Sequence, residues 1–249
     1  MSLKKSHLLD IPIDVGSMDD FVLSIDKKIK LHRGSHIVGI NADKINQIQE
    51  DKYLKKIVTT ADIIHADGIS IIFASKILKK GAIYERVAGI DLMQKLLYLA
   101  ERKQYTVFFL GAQEVVLEKM ITNISSRHPN LNISGSRNGY FDKTEWKEIS
   151  MDLTNLNPDI VFVGITSPKK EYLIDYLLSN NVHSVFMGVG GSFDVLSGKK
   201  KRAPIWVQKI NLEWLFRLIQ EPRRLFFRYF EGNLKFFKLL ASEKKTKKT

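Results

Sequence analysis

The stretch "YTVFFLG" (105–111) is apolar along most of its length and does not alternate between polar and apolar residues. Such a composition is typical of a strand covered on both faces, as the strands of parallel sheets are. Helical patterns of apolar residues precede it at 90–103 and follow it at 113–128. This order of helix, strand and helix predicts a parallel sheet with helices packed on both faces.

The same alternation continues on either side of this stretch. Further strands are predicted at 36–41, 62–66, 131–135, 159–165 and 183–190. Further helices are predicted at 19–31, 43–58, 69–80, 143–155 and 168–180. The sequence therefore predicts an α/β fold, with a Rossmann-like open and mainly parallel sheet and helices on both of its faces.

The positive charge of the chain is concentrated towards one end. The net charge is +12, and residues 199–249 contain 15 Lys/Arg against 4 Asp/Glu. Apolar positions recur at helical spacing in the same segment, interrupted at Pro222. We therefore divide the chain into a Rossmann-like domain, 1–198, and an appendage of basic amphipathic helices, 199–249. An anionic partner is expected for the appendage: a membrane surface, a nucleic acid or a phosphorylated substrate.

Several classes of chemistry are excluded by what the sequence lacks. There is no cysteine, which excludes disulfides, thiolate metal sites and cysteine nucleophiles. The sequence contains no HExxH or other zinc spacing, no G-x-S-x-G elbow and no Asp-x-Asp pair. We expect neither a metal ion nor a cofactor. Without a signal-peptide pattern or a run of about 20 apolar residues, an intracellular location is expected.

Ligands of open parallel sheets bind beyond the carboxyl ends of the strands. The residues expected at this edge are Asn41, Asp43, Asp67, Gly68, Gly111, Gln113 and the segments 164–170 and 188–194. Asp67, in "HADG" (65–68), has two interpretations: a cap for the helix that begins near Ile69, or a general base. Arg86, in "ERVAGIDLM" (85–93), is either part of a surface ion pair or a guanidinium that binds phosphate.

The segment "GVGGSFDVLSGKKKRAP" (188–204) is rich in glycine but matches neither a Walker loop nor a complete GxGxxG fingerprint. It follows the last predicted strand, whereas the dinucleotide fingerprint belongs to a first βα turn. One interpretation is a nucleotide-binding turn, in which the backbone contacts phosphate and Asp194 accepts hydrogen bonds from a ribose or base. The other is a tight structural turn.

Taken together and in order, eight stretches resemble the WecG/TagA/CpsF family of bacterial glycosyltransferases. They are "INADK" (40–44), "ADGISII" (66–72), "RVAGIDLM" (86–93), "FFLGA" (108–112), "GYF" (139–141), "GITSPKKE" (164–171), the glycine-rich segment 188–204 and "LEWLFRLIQEPRR" (212–224). The resemblance covers nearly the whole chain, from 37 to 229.

The resemblance implies an inverting transfer of a sugar from a UDP-sugar to a polyprenyl-diphosphate-linked amino sugar. The reaction is expected at the inner face of the cytoplasmic membrane, in the synthesis of a surface polysaccharide. The donor sugar is expected to be N-acetylmannosamine, N-acetylmannosaminuronic acid or a related hexose. "INADK" and "ADGIS" are closer to the WecG-like branch, which uses the uronic acid, than to the TagA branch. Homo-oligomers are possible in this family.

The resemblance also implies roles for individual residues. Asp67 is the expected catalytic base, Arg86 is expected to be important for activity, and Asn41 lines the site. The glycine-rich turn, with Gly190, Gly191, Phe193 and Asp194, is expected in the nucleotide pocket, and Arg217, Arg223 and Arg224 are expected to complete the site beside the membrane. Asp43, Gly111 and Gln113 are expected to bind substrate because of their position at the sheet edge. Lys170 stands where many relatives have glutamine, and its added charge would favour an acidic donor sugar.

Two other functional classes are open on the residues alone. A nucleic-acid-binding protein would use the basic aromatic tail, but the nearly neutral body offers no extended basic groove and shows no RRM, KH or helix-turn-helix signature. A Rossmann-type oxidoreductase is weakened by the missing early glycine fingerprint. We therefore expect no nucleic-acid partner.

Overall fold

A six-stranded, entirely parallel sheet forms the centre of the fold, with the strand order β4-β3-β8-β7-β5-β6. The computed structural model describes residues 3–78 and 83–246. The strands are β3 (Ser35–Ile40), β4 (Ile63–Ala66), β5 (Thr106–Gly111), β6 (Asn132–Arg137), β7 (Ile160–Gly164) and β8 (Val185–Gly188). The predicted α/β fold with an open parallel sheet is confirmed.

Two layers of helices cover the sheet. The helices are α1 (Met18–Leu31), α2 (Ala42–Glu50), α3 (Lys52–Thr59), α4 (Ile69–Ile77), α5 (Gly89–Lys103), α6 (Glu114–Arg127), α7 (Trp146–Leu156), α8 (Lys169–Ser179), α9 (Ser192–Leu196), α10 (Ile205–Lys209), α11 (Glu213–Gln220) and α12 (Pro222–Thr246). Phe109 and Phe162 pack with α1, α5, α6 and α9 on one face. Leu110 and Val163, the next residues along their strands, pack with α7 and α8 on the other.

Two local features differ from the sequence prediction. A hairpin of β1 (Lys4–Leu8) and β2 (Ile11–Val15) was not predicted, because four of the five residues of its first strand are polar or charged. It lies beside β4, where the Asp14 carboxylate accepts a hydrogen bond from the Ile64 amide at 2.8 Å. The helix predicted at 43–58 is two helices, because the backbone of Asp51 is extended and ends α2, and its carboxylate caps α3.

The predicted C-terminal helices are present as α10, α11 and α12. Pro222 begins α12, a position where its missing N–H removes no helical hydrogen bond. The last helix packs on α2: the Asn46 side chain donates to the Gly232 carbonyl at 2.7 Å, and Phe236 and Leu240 are buried in the core cluster of α2 and α3. Along the described parts of the chain, the helices lack the combined length and apolarity needed to cross a membrane.

The connections of β8 make it a topological switch point at the carboxyl edge of the sheet. The helices after its two neighbours, α2 after β3 and α8 after β7, lie on one face of the sheet. The helix after β8 itself, α9, lies on the opposite face. Adjacent strands whose connections leave in opposite directions open a crevice between them, which is where open α/β sheets bind ligands.

We expect Gly111→Ala to destabilise the fold. Gly111 has a φ of 139°, and a Cβ there would lie 2.5 Å from the carbonyl carbon of Gly164 on the adjacent strand. The backbone conformation alone costs roughly 1–3 kcal/mol for a residue with a side chain. Urea unfolding measures the loss. Gly191→Ala is the control, because no heavy atom lies within 4 Å of its added Cβ; equal unfolding midpoints for the two variants would contradict the account.

Candidate active site

Asp67 lies directly after β4 at the carboxyl edge of the sheet. Its Oδ1 accepts a hydrogen bond of 2.7 Å from the Gly89 amide, the first N–H of α5. The helix that follows Asp67 directly, α4, has Gly68 at its cap position and no side-chain cap. The interpretation of Asp67 as the cap of that helix is therefore wrong: it caps α5 instead. Within the described residues its Oδ2 has no hydrogen-bond partner, which leaves one carboxylate oxygen for chemistry.

The loop before α5 is fixed to the end of β4 by two further hydrogen bonds. The Val87 amide donates to the Ala66 carbonyl at 2.9 Å, and His65 Nδ1 lies 2.8 Å from the Val87 carbonyl. His65 is fully buried, and burial lowers the pKa of its imidazole. The ring is therefore neutral near pH 7, and Nδ1–H is the donor. These bonds hold the backbone of Arg86 beside Asp67.

Asn41 lies next to Asp67 across two neighbouring strands. It caps α2, since its Oδ1 accepts from the Lys44 amide at 2.9 Å. A Cβ added to Gly68 would stand 2.8 Å from the Cβ of Asn41, so the two segments are in close contact. The structure thus brings two residues of the predicted site together at the edge formed by β3 and β4.

Arg86 forms a largely buried ion pair with Glu213, the first residue of α11. The two side chains are 16% and 9% exposed, so the interpretation of Arg86 as part of a surface pair is wrong. Arg202 extends the cluster: its Nε lies 3.6 Å from Glu213 Oε1, and its Nη2 lies 2.7 Å from Asp91 Oδ1. Asp91 stands in the first turn of α5. Sequence reasoning gave no role to Arg202 or Glu213, although both lie in stretches that carried the family resemblance.

Lys170 belongs to a buried charge cluster beneath the carboxyl end of β8. Its aliphatic chain covers Gly188, where a Cβ would meet Lys170 Cε at 2.6 Å. Its Nζ lies 3.5 Å from Glu171 Oε1, which also pairs with Lys44 Nζ at 2.6 Å. Burial lowers the pKa of Lys44 to about 8. Burial would raise the pKa of Glu171, but the ammonium groups of Lys170 and Lys44 outweigh it and hold that pKa at about 2.

Burial lowers the pKa of Lys44, and the two ammonium groups lower the pKa of Glu171. Two ammonium groups share a single carboxylate, so the ionised carboxylate is strongly favoured while the buried Lys44 ammonium is only partly compensated. The cluster therefore carries a net positive charge at neutral pH. An anionic group at this edge of the sheet would be attracted to it.

The glycine-rich turn after β8 is open on one side. No heavy atom lies within 4 Å of a Cβ added to Gly190 or Gly191. Phe193, in contrast, is 1% exposed and packs edge-on against Phe109 in the core. Its side chain therefore anchors the turn instead of facing a ligand, because α9 turns this position towards the sheet. Asp194 pairs with Lys200 at 3.1 Å.

With this geometry in place, comparison with known proteins decides the family. The chain matches the glycosyl transferase WecG/TagA/CpsF family over residues 6–249. It belongs to that family. It is therefore a glycosyltransferase, as the sequence resemblance predicted, and this decides against the two other functional classes considered above.

Two relatives in Bacillus share this family assignment. The chain is 35% identical over 201 residues, which is 80% of this chain and 75% of the relative, to the N-acetylglucosaminyldiphosphoundecaprenol N-acetyl-beta-D-mannosaminyltransferase of Bacillus subtilis (strain 168). It is 33% identical over 193 residues, 78% of this chain and 74% of the relative, to the protein of the same name in Bacillus spizizenii (strain ATCC 23059 / NRRL B-14472 / W23).

Three of the other residues expected to bind substrate in this glycosyltransferase, Gly111, Gln113 and Asp43, lie at or just after strand ends along the same edge. Gln113 accepts a hydrogen bond from Lys199 Nζ at 3.1 Å, and Gly111 ends β5. Asp43 is paired with Arg228 at 2.5 Å, so α12 covers the start of α2. Arg217 and Arg223 are exposed and form no ion pair with any described residue, and the side chain of Arg224 lies outside the described part.

Within the described residues there is no metal site at this edge, and a surface groove lies apart from most of its residues. In the described ranges no three His, Asp or Glu side chains stand close enough to hold a metal ion. A groove of about 780 Å³ lies between α3, α7 and α8, lined by residues that include Tyr53, Trp146 and Tyr172. Pro168 and Lys169 of the predicted segment 164–170 line it, but none of the individually predicted site residues does.

We expect Glu171→Gln to destabilise the enzyme at neutral pH. The substitution leaves two ammonium groups without their carboxylate, and removal of one partner of a buried pair costs roughly 3–5 kcal/mol. Because the folded pKa of Glu171 lies below the ordinary 4.5, its stabilisation is present above pH 4.5 and is lost as the pH falls towards 2.

Urea unfolding across this pH range provides the measurement. The wild type should lose stability more steeply than Glu171→Gln as the pH falls, so that the two curves converge. The exposed Glu118→Gln on α6 is the control and should follow the wild type at every pH. A constant difference between wild type and Glu171→Gln down to pH 2 would show that the carboxylate charge is not what stabilises the cluster.

Proposed function

We propose that this enzyme transfers a sugar from a UDP-sugar to a polyprenyl-diphosphate-linked acceptor sugar, with inversion at the anomeric carbon. The names of the two Bacillus relatives specify an undecaprenol-diphosphate acceptor and transfer of N-acetylmannosamine. One observation carries the proposal for this chain. The carboxylate of Asp67 is oriented by the first N–H of α5, and its other oxygen has no partner among the described residues, next to a loop that carries Arg86.

Inversion requires a single displacement, and Asp67 supplies its base. The free Oδ2 of Asp67 takes the proton from the acceptor hydroxyl. At the same time the hydroxyl oxygen of the acceptor attacks the anomeric carbon. The bond from the anomeric carbon to the diphosphate breaks, and UDP leaves from the opposite side with the electron pair. A base of this kind typically contributes about 10²–10⁴-fold to the rate.

The departing diphosphate is neutralised by cations of the chain. The loop that carries Arg86 is bonded to the end of β4 and to Asp67, and the exposed Arg217 and Arg223 are available from the C-terminal helices. Cations held in place before the reaction stabilise developing charge without reorganisation. Lys170 adds to the positive charge under β8 and favours a donor sugar with a carboxylate, such as N-acetylmannosaminuronic acid. A panel of UDP-sugars with a prenyl-diphosphate-GlcNAc acceptor identifies the donor.

The C-terminal helices bring the enzyme to its lipid-linked acceptor at the inner face of the cytoplasmic membrane. They expose large apolar side chains: Ile205, Trp206, Ile210, Trp214, Ile219, Phe226, Phe227, Phe230, Leu234 and Phe237. Basic residues near an anionic leaflet contribute about 1 kcal/mol each, and inserted aromatic rings add to this. A homo-oligomer that covers the same apolar face is the alternative use of this surface.

We expect Asp67→Asn to lower turnover by about 10²–10⁴-fold while UDP binding is retained. Asparagine keeps an oxygen that accepts the Gly89 N–H, so the structural bond survives and only the base is lost. UDP release measures turnover, and calorimetry measures UDP affinity. The exposed Asp152→Asn on α7 is the control. Turnover close to that of the wild type would show that Asp67 is not the base and serves only to cap α5.

Membrane attachment is tested by replacing Phe226, Phe227 and Phe230 with serine. These rings are exposed, whereas Phe236 and Leu240 are buried against the body, so the triple variant should fold where a truncation would not. We expect it to lose most of its flotation with anionic vesicles and most of its activity on a lipid acceptor. Serine at the exposed Leu23, Phe73 and Val115 is the control. Unchanged flotation with a smaller sedimentation coefficient would indicate an oligomer interface instead.

A further inference from the structure

Glu213 joins two arginines that come from different parts of the chain. One of its oxygens, Oε2, pairs with Arg86 in the loop before α5, and the other, Oε1, lies 3.6 Å from Arg202 Nε. Glu213 is 7% exposed and begins α11, a helix whose Trp214 and Ile219 side chains are exposed. Carboxylates are rarely buried to this degree unless they are paired. The C-terminal helices thus place a buried anion against a guanidinium of the predicted site.

The ion pair with Glu213 fixes Arg86 but engages only one of its guanidinium nitrogens. Its Nη2 bonds to Glu213, and its other guanidinium nitrogens have no hydrogen-bond partner among the described residues. The side chain keeps 16% of its surface exposed, so these donors are accessible to a ligand. A guanidinium fixed at one nitrogen and free at the others is suited to bind a diphosphate in a set orientation.

Arg202 completes the arrangement from the other side of Glu213. Its Nη2 lies 2.7 Å from Asp91 in the first turn of α5, the helix whose first N–H binds Asp67. Its Nε and Nη2 are buried and have no partner that satisfies hydrogen-bond geometry. Contacts to Asp91 and Glu213 therefore link α11 to the end of α5 that orients the candidate base.

We infer that Glu213 is a positioning residue of the transfer reaction, which holds Arg86 in the orientation that grips the diphosphate of the donor. The inference rests on the proposed function and deepens it. The C-terminal helices then have two separable tasks: their exposed rings meet the membrane, and Glu213 shapes the site in the body. Loss of Glu213 impairs the grip on the diphosphate and leaves membrane attachment intact.

UDP is the probe, because it is the product with every donor sugar. On the full-length protein we expect Glu213→Gln to weaken UDP binding about tenfold, the size expected for a lost hydrogen bond to a charged group. Glutamine keeps the shape of the side chain and removes its charge. The exposed Glu231→Gln on α12 is the control, with unchanged UDP affinity. Flotation with anionic vesicles should be the same for all three proteins.

A double-mutant cycle separates positioning from a structural role. If Glu213 acts through Arg86, then Glu213→Gln adds little to the loss of UDP affinity already caused by Arg86→Lys. If the losses of UDP affinity add fully and the unfolding temperature falls, the inference is overturned. The Arg86–Glu213 pair would then serve only to stabilise the fold. Arg202→Gln is the second variant, since it removes the other contact of Glu213 without changing α11. The loss of UDP affinity caused by Arg202→Gln should also be smaller in the Glu213→Gln background.

The outcomes distinguish this inference from the proposed function. A wild type that neither binds UDP nor transfers sugar from any UDP-sugar would refute the proposed function itself. A wild type that binds UDP, with a Glu213→Gln variant that binds it equally well, would refute only the positioning role.

Discussion

The hydrogen bond from the Gly89 amide to Asp67 is the contact on which the site depends. The first N–H groups of a helix have no partner inside the helix and must find one elsewhere. Here Ala88 precedes α5 and supplies no side-chain cap, and the partner is a carboxylate 22 residues earlier. A requirement of backbone chemistry thus fixes an acidic side chain at the sheet edge and sets the Arg86 loop beside it.

Charge pairs join the C-terminal helices to this edge and make them part of the enzyme. Arg86 pairs with Glu213, Asp43 pairs with Arg228, and Phe236 fills a core cluster with α2 and α3. The basic tail apparent in the sequence is therefore divided in the structure. One side is committed to the body through buried contacts, and the other exposes aromatic rings together with Arg217 and Arg223. The appendage can therefore contact the site with its packed side and a membrane with its exposed side.

The sequence predicted those elements whose local pattern is unambiguous. Strands that are apolar throughout, such as 105–111 and 159–165, were found, because burial on both faces leaves a continuous pattern. The rule that ligands meet the carboxyl ends of strands brought Asn41 and Asp67 together. Contacts between distant residues could not be read in this way: Arg86 and Glu213 are 127 positions apart. The inward direction of Phe193 depends on a five-residue helix that has too few positions to show a period.

A crystal structure of the enzyme with bound UDP tests the location of the site most directly. The account predicts the diphosphate within hydrogen-bond distance of the Arg86 guanidinium, between the end of β4 and the 188–194 turn, with Oδ2 of Asp67 facing the side where the sugar would be attached. UDP seated in the groove between α3, α7 and α8, with Asp67 remote from its diphosphate, would contradict the account.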